Sequence, residues 1–213
     1  MAKVKLNITM SVDGYVAGPD QSLDDPLGKG GMALHEWIFA TRSFRQTHGG
    51  EGGETGLDDD HAKWNANIGA TIMGRNMFGP VRGPWGDEAW TGWWGDDPPF
   101  HTPVFVLTHH AREPVEMAGG TTFHFVTDGF EAALTRAVDA AGGLDVAVGG
   151  GAGTVRQYLR AQLVDEMEIH VVPLLLGGGE RLFDNLDGGL AGFECVELVA
   201  SPVVAHYRYV RKD

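Results

Sequence analysis

Residues 145–154 read Asp-Val-Ala-Val-Gly-Gly-Gly-Ala-Gly-Thr, and apolar residues follow at helical spacing as far as 163. The pattern predicts a buried strand, a glycine turn and a helix. A glycine turn before a helix lets a phosphate group approach backbone N–H groups and the positive end of the helix dipole. The alternative is a tight turn that binds no ligand. We favour phosphate binding, because loops of this kind often carry function.

Two common nucleotide-binding fingerprints are absent from this turn. The P-loop fingerprint fails because no Gly-Lys-Ser/Thr follows the glycines. The dinucleotide fingerprint fails because Thr154 stands where its third glycine would be. The next strand, about 166–172, also ends without the acidic residue that would hold a ribose. The turn is therefore predicted to hold a pyrophosphate on a different α/β sheet.

Length, charge and cysteine content limit the class of protein. The chain has 213 residues, which predicts one domain over 1–213 with a sizeable core. Its net charge of −13 disfavours nucleic acid and anionic membrane surfaces as partners, so an anionic ligand would need local Arg, His and N–H groups. The single cysteine, Cys195, fits a reducing compartment. With no signal-peptide pattern and no membrane-spanning apolar run, we expect a soluble cytoplasmic protein.

Strand and helix patterns alternate along most of the chain. Strands are predicted at 4–10, 70–73, 104–107, 122–126, 145–148, 167–176, 193–200 and 203–210, and helices at 32–45, 57–67, 130–141 and 154–163. The glycine-rich segment 48–56 has the composition of a mobile surface insertion. The last two strands are joined by a tight turn and predict an antiparallel hairpin. The whole is an α/β fold with a mixed sheet.

Two other strand ends carry residues suited to chemistry. Asp13 follows the first strand, and from the residues alone we favour a turn residue that bonds its own backbone. Gly74 and Arg75 follow the strand at 70–73 and could offer an N–H group and a fork of donors to a phosphate. The alternative for Arg75 is an ordinary surface arginine.

A third strand end carries a hydroxyl and an imidazole. Thr108 and His109 follow the strand at 104–107 and could contact a phosphate or form a solvated turn. The adjacent His109 and His110 point to different sides of an extended chain, so no metal site is predicted here.

The segment 81–100 holds four tryptophans among Gly, Pro and Asp, with neither helical nor strand periodicity. Such a loop could form a wall beside a ligand, a lid or a dimer contact. It could equally be a loop that packs on itself and covers the core.

Taken together, these motifs resemble the dihydrofolate reductase-like superfamily, specifically the reductase domain of bacterial riboflavin-biosynthesis deaminase-reductases and its stand-alone relatives. The matching stretches, in the family's order, are Ser11-Val12-Asp13-Gly14, Ile72-Met73-Gly74-Arg75, Val106-Leu107-Thr108, Gly149-Gly150-Gly151-Ala152-Gly153-Thr154 and Val172-Pro173-Leu174-Leu175-Leu176-Gly177-Gly178-Gly179. The zinc-deaminase signature is absent from the sequence, so the likeness is to the reductase half alone.

The resemblance implies a dihydrofolate reductase-like fold with a mostly parallel sheet flanked by helices. It also implies an NADPH-dependent oxidoreductase that transfers a hydride to a C=N or C=O of a small heterocycle, pteridine-like or ribosylaminopyrimidine-like. The residues that would hold the NADPH pyrophosphate are Gly149, Gly150, Gly151, Ala152 and Thr154.

The resemblance also assigns roles to the other strand ends. Gly74 and Arg75 would lie along the adenosine side, with Arg75 on the 2′-phosphate and with Thr108 and His109 near it.

The end of the first strand is assigned to the reacting groups. Met10, Ser11 and Val12 would present backbone to the nicotinamide carboxamide. Asp13 would face the substrate beside the reactive carbon, so the resemblance favours a catalytic Asp13 over the turn reading. Glu36 is the one acid in the predicted helix 32–45 and is the alternative proton donor.

Two other functions remain open at this stage. The first is a non-catalytic module that binds NADPH or a flavin nucleotide, in which Asp13 would be dispensable. The second is an architectural role for the glycine turns, with exposed aromatic residues forming an assembly interface. A homodimer is compatible with the sequence, because relatives pair and aromatic-rich surface is available.

Overall fold

The structure is a computed structural model, and it describes residues 2–63, 66–79, 82–86, 90–186 and 192–212. The strands are β1 (Val4–Ser11), β2 (Tyr15–Ala17), β3 (Ile68–Gly74), β4 (Pro103–Leu107), β5 (Val115–Glu116), β6 (Thr122–Val126), β7 (Asp145–Gly150), β8 (Glu166–Val172), β9 (Glu180–Arg181), β10 (Phe193–Ala200) and β11 (Ala205–Arg211). The helices are α1 (Glu36–Phe39), α2 (Arg42–Thr47), α3 (Leu57–His61), α4 (Arg75–Phe78), α5 (Phe130–Ala141) and α6 (Ala152–Arg160), with 3₁₀ turns at Gly31–His35 and Ala118–Gly120.

The chain divides into two compact units, each built from two distant segments. The first comprises Met1–Lys5 and Asn67–Val164, and the second comprises Leu6–Ala66 and Asp165–Asp213. Because neither unit is a continuous stretch of chain, no linker composition marks their boundaries in the sequence.

The first unit contains a mostly parallel sheet with the strand order β7-β3-β4-β6-β5. Strands β7, β3, β4 and β6 are parallel to one another, and β5 pairs antiparallel with β6 at the edge. Helix α5 packs on β3 and β4, and α6 packs on β7. The central strands are buried nearly throughout, as expected for parallel strands covered by helices.

The second unit contains the strand order β10-β11-β8-β1. Strands β10 and β11 pair antiparallel, and so do β11 and β8. In the turn that joins β10 to β11, Ser201 N–H donates to Val204 O at 2.9 Å. The predicted α/β fold, with its mixed sheet and its antiparallel C-terminal hairpin, is confirmed.

The prediction of a single helix over 32–45 is wrong, because the helical conformation is interrupted at Thr41. Thr41 is extended, and its hydroxyl accepts the N–H of Phe44 at 3.3 Å, which starts α2 as a new helix. The break is also held by the segment predicted to be a mobile insertion. Arg42 N–H donates to Glu54 O and Glu54 N–H donates to Ala40 O, each at 2.8 Å.

Two predicted elements are shorter in the structure. Helix α3 ends at His61, six residues before the predicted end at 67, and residues 64 and 65 lie outside the described part of the chain. Strand β8 ends at Val172 and not at 176, because Pro173 has no N–H to continue the ladder. Among the residues described, no helix is long and apolar enough to cross a membrane.

Candidate functional site

Three of the predicted site segments follow adjacent parallel strands of the first unit. Strand β3 pairs with β7 on one side and with β4 on the other. Carboxyl ends of parallel strands lie at one edge of a sheet, where ligands of open α/β sheets bind. The structure therefore brings together Gly74, Thr108 and Gly150, each at or next to such a strand end.

The glycine turn between β7 and α6 leaves a helix N-terminus without a side-chain cap. Gly150 has φ +132°, a conformation that favours glycine, and its peptide bond to Gly151 is cis. Gly151 is the N-cap, and no described side chain caps the helix there. Thr154 N–H already donates to Gly151 O at 3.0 Å. The N–H groups suited to an anion are therefore those of the helix start at Ala152 and Gly153.

Gly74 and Thr154 hold the two glycine turns in contact. A Cβ added to Gly74 would collide with Thr154 Oγ1, and it would lie 3.5 Å from both Gly150 O and Gly151 N. Gly74 has an ordinary extended φ of −83°, so the glycine is required by space and not by backbone conformation. The absence of a side chain at this position allows Thr154 to fill it.

Arg75 carries a guanidinium that stacks on an indole and has no hydrogen-bond partner among the residues that the structure describes. Its Cζ lies 3.2 Å from the centroid of the Trp85 ring. Its three nitrogen atoms Nε, Nη1 and Nη2 are buried without a partner among the described residues. Burial, with the positive charges of Arg112 and Arg82 nearby, lowers the pKa of Arg75 to about 10, so it stays charged at neutral pH. Buried guanidinium donors without partners are costly, and an anionic ligand would satisfy them.

Trp85 is itself held in place by the protein. Its Nε1–H donates to His110 O at 2.9 Å. Its ring packs edge-on against Phe78 and Phe125, with centroids 5.9 and 5.0 Å apart. On the same indole, Arg112 Cζ lies 4.9 Å from the ring centroid. The indole therefore fixes the orientation of the Arg75 guanidinium and draws a second cation close to it.

Two other tryptophans of this loop, Trp90 and Trp94, cover the core of the first unit. Trp90 and Trp94 pack against a buried cluster that includes Phe78 and Phe123, and Trp90 Nε1–H donates to Phe78 O at 3.0 Å. This agrees with the interpretation of a loop that covers the core. Residues 80, 81 and 87–89 of the loop lie outside the described part of the chain.

Thr108 is buried at the end of β4, and its hydroxyl takes part in a local turn. His110 N–H donates to Thr108 Oγ1 at 3.2 Å, and Thr108 N–H donates to Val126 O at 3.0 Å. His109 is exposed. Of the two predicted residues, Thr108 is thus used by the fold, and His109 has the accessible side chain.

In the second unit, Asp13 fastens two loops together. Its Oδ1 accepts the Ser11 hydroxyl at 2.6 Å and the Leu176 N–H at 3.1 Å, and its Oδ2 accepts the Gly177 N–H at 2.7 Å. The Ser11 hydroxyl, with the two N–H groups, holds the pKa of Asp13 below its usual range. Asp13 is therefore ionised at neutral pH and acts as a hydrogen-bond acceptor.

The neighbours of Asp13 are engaged in the same turn. Ser11 is fully buried, and Tyr15 N–H donates to its Oγ at 3.0 Å. Val12 N–H donates to Leu174 O at 3.0 Å, while its side chain is exposed. Met10 is partly buried in β1, and Glu36 is exposed at the start of α1.

Sequence reasoning missed the roles of Trp85 and Arg112. The density of tryptophans marked the loop, yet no periodicity indicated which indole would meet Arg75. Arg112 lies four residues beyond Thr108 in sequence, and only the folded loop brings it to the same ring.

The family comparison matches residues 2–201 to the RibD C-terminal domain. The chain is similar to a riboflavin biosynthesis protein from Shewanella sp. PV-4, at 22% identity and TM-score 0.65, covering 99% of each chain. It is also similar to Acinetobacter baumannii RibD at 17% identity and TM-score 0.57, and it covers 59% of that chain. A dihydrofolate reductase from Enterococcus faecalis complexed with NADP(H) matches at 13% identity and TM-score 0.53, covering 97% of that chain. No curated protein matches. At these identities the solved structures show the fold alone.

Proposed function

The chain belongs to the RibD C-terminal domain family over residues 2–201, and from this premise we propose that it is an NADPH-dependent reductase. Its substrate would be a small heterocycle, pteridine-like or ribosylaminopyrimidine-like, reduced at a C=N or C=O bond. The observation that carries the proposal is the buried guanidinium of Arg75, whose nitrogens have no partner within the described ranges. It follows a strand of the same sheet as the α6 N-terminus, which no described side chain caps. Together these features suit a dinucleotide with a pyrophosphate and a further phosphate.

The residues of the first unit fit the phosphate groups of this cofactor. The N–H groups of Ala152 and Gly153, with Gly150 and Gly151 giving close approach, would hold the pyrophosphate. Arg75 would pair with the 2′-phosphate, as an arginine fork suits a phosphate group. This pairing would favour NADPH over NADH.

Bound NADPH would supply the hydride, and the protein would supply placement and exclusion of water. Asp13 would orient an N–H or O–H group of the substrate, because an ionised acceptor suits that role better than proton donation. The backbone of Met10–Val12 would lie along the nicotinamide. The N–H of Val12 already donates to Leu174 O within the protein. We further propose that the enzyme is cytoplasmic and that it forms a homodimer.

A non-catalytic NADPH- or flavin-nucleotide-binding module is the second candidate. It is favoured by one observation, that the Asp13 carboxylate already accepts three hydrogen bonds within the protein. In that case Asp13 would be a structural fastener only.

Turnover separates the two candidates. NADPH oxidation is followed by its absorbance across a panel of dihydropterins, flavins and ribosylaminopyrimidines, and binding of NADPH alone is measured by calorimetry. We expect binding and turnover of at least one panel member. Tight binding without turnover on any member would support the module, and absence of NADPH binding would overturn both.

A further inference from the structure

Five side chains of the second unit form a continuous chain of short polar contacts away from Asp13. The contacts are Asp58 Oδ1 to His206 Nε2 at 3.1 Å, His206 Nδ1 to His170 Nδ1 at 2.7 Å, His170 Nε2 to Asn7 Oδ1 at 3.1 Å, and Asn7 Nδ2 to Glu168 Oε2 at 3.2 Å. We call these five residues the imidazole network. They come from α3, β11, β8 and β1.

The two imidazoles at the centre of the network are sealed from solvent. His170 is fully buried and His206 is 1% exposed. The Trp37 ring lies against both, with centroids 4.8 Å from His170 and 5.1 Å from His206. Buried polar atoms need hydrogen bonds, so the ring nitrogens depend on one another and on the side chains at the two ends. The described residues include no grouping suited to a metal ion.

Counting hydrogens shows that the ordinary protonation states cannot satisfy this chain of contacts. Four contacts need four hydrogens. A neutral imidazole carries one N–H, so His170 and His206 supply two. The amide of Asn7 donates on one side and accepts on the other in either orientation, so it supplies one. Ionised Asp58 and Glu168 supply none, and one of the four contacts is left with two facing acceptors.

We propose that the imidazole network binds one additional proton at neutral pH, carried by His206 beside Asp58. His206 then donates to Asp58 from Nε2 and to His170 from Nδ1. His170 stays neutral and donates from Nε2 to Asn7, and Asn7 donates to Glu168. All four contacts are hydrogen bonds in this state, with no change of side-chain orientation.

The groups around the network act differently on its two imidazole rings. Burial and the neighbouring imidazoles lower the pKa of His170 to about 3, which keeps that ring neutral. Burial, the largest influence, leaves the pKa of His206 below its usual value, although the hydrogen bond to Asp58 acts in the opposite direction. The additional proton on His206 follows from the four contacts, which lack one hydrogen without it. His61 stacks on His206 at 4.2 Å between centroids and lies 3.9 Å from Glu168. The carboxylates of Asp58 and Glu168 give the network a charge of −2, and the additional proton reduces it to −1. This lowers the free-energy cost of keeping the network away from water.

Other charged groups close to the network are paired elsewhere. Arg208 donates to Glu197 at 3.0 Å, and Lys63 pairs with Asp60 at 2.6 Å. These pairs lie on β10, β11 and next to α3, and neither carboxylate belongs to the network. Glu197 therefore offers a matched control for substitution of Glu168.

The proposal predicts a definite sign for the pH dependence of stability. Histidines of the unfolded chain lose their protons near pH 6.5, so above about pH 7 the folded chain binds one proton more than the unfolded chain. Stability then falls as pH rises, by up to about tenfold in the unfolding constant per pH unit, until the network releases its proton.

The first test is nitrogen NMR of histidine-labelled full-length protein at pH 7. We expect one buried ring with both nitrogens protonated and a second with one nitrogen protonated. Two singly protonated buried rings at pH 7 would overturn the proposal, whatever the stability data show.

The second test uses amides in place of the terminal carboxylates. Glu168→Gln and Asp58→Asn each supply the missing hydrogen, so each closes the network without an additional proton. We expect urea-unfolding midpoints of these variants to be level between pH 7 and 9, whereas the wild type and the control Glu197→Gln lose stability over that range. A wild-type slope that persists in both amide variants would contradict the proposal. If one variant does not fold, the other and the NMR measurement decide.

Discussion

Arg75 is the residue whose surroundings most directly call for a ligand. Its guanidinium lies over Trp85, its nitrogens are buried without partners in the part of the chain that the structure describes, and Arg112 lies over the same indole. Among the described residues nothing pairs with the Arg75 nitrogens, and burying such donors is costly unless an anionic ligand satisfies them. At this scale the arrangement favours a phosphate monoester.

Trp85→Leu tests whether the indole orients Arg75. Loss of a partly desolvated cation–π stack costs about 0.5–2 kcal/mol, so we expect NADPH to bind roughly two- to thirty-fold more weakly. NADH, which lacks the 2′-phosphate, should lose little. The control is Trp93→Leu, because Trp93 packs edge-on against Trp90 in the same loop. Calorimetry on protein checked for folding by circular dichroism measures both, and equal losses for the two cofactors would contradict the role of Trp85.

Asp13 gives a prediction of pH dependence. The pKa of its carboxyl is held below the usual range in the folded chain, chiefly by Ser11. Its contribution to stability is therefore present above the unfolded pKa near 4 and is lost as pH falls below it. Asp13→Asn should lower the melting temperature more at pH 7 than at pH 3. A difference from the wild type that is equally large at both pH values would contradict this account.

The segments that follow β3 and β7 pack closely because Gly74, which has no side chain, leaves space for the Thr154 hydroxyl. Gly74→Ala would drive a methyl group into Thr154 Oγ1, and overpacking of this kind costs about 1–3 kcal/mol. Since the backbone of Gly74 is unstrained, the double variant Gly74→Ala/Thr154→Ala should recover most of that loss. Gly153→Ala, which lies in α6 with open space at its Cβ, is the control and should not lose stability.

Urea unfolding of the three variants and the wild type measures these differences. A double variant no more stable than Gly74→Ala alone would mean that the collision with Thr154 is not the cause. An equal cost for Gly153→Ala would lead to the same conclusion.

At the scale of elements, the sequence predicts the helices and strands in which apolar residues recur at regular spacing. Helix α5 matches its predicted range of 130–141, and β6 its predicted range of 122–126, because regular apolar spacing extends to their ends. The helix predicted over 32–45 fails at Thr41, because the break there depends on pairing with Glu54, which no local pattern encodes. The site follows the same rule. Glycine turns are visible in the sequence, whereas the meeting of Arg75 with Trp85 depends on loop packing.

At the scale of the whole molecule, the homodimer stays a prediction, and the exposed face of β10 is a candidate surface for it. Strand β10 lies at the edge of the sheet order in the second unit and carries Leu198, which is 58% exposed. We expect Leu198→Glu to turn a sedimenting dimer into a monomer without loss of folding. Leu144→Glu, at a residue 45% exposed in the first unit, is the control. A wild type that sediments as a monomer would contradict the prediction.

The central claim is that Arg75 and the start of α6 together hold the phosphates of NADPH, and calorimetric binding of NADPH and NADH to the wild type and to Arg75→Met tests it most directly. Hydrogen bonds to a charged group contribute about 1.5–3 kcal/mol, so NADPH should bind the variant roughly ten- to a hundred-fold more weakly. NADH should change little, and Arg136→Met, at an exposed arginine paired with Asp128, should change neither. Equal affinity of the wild type for NADPH and NADH, or equal losses for both cofactors in Arg75→Met, would contradict the account.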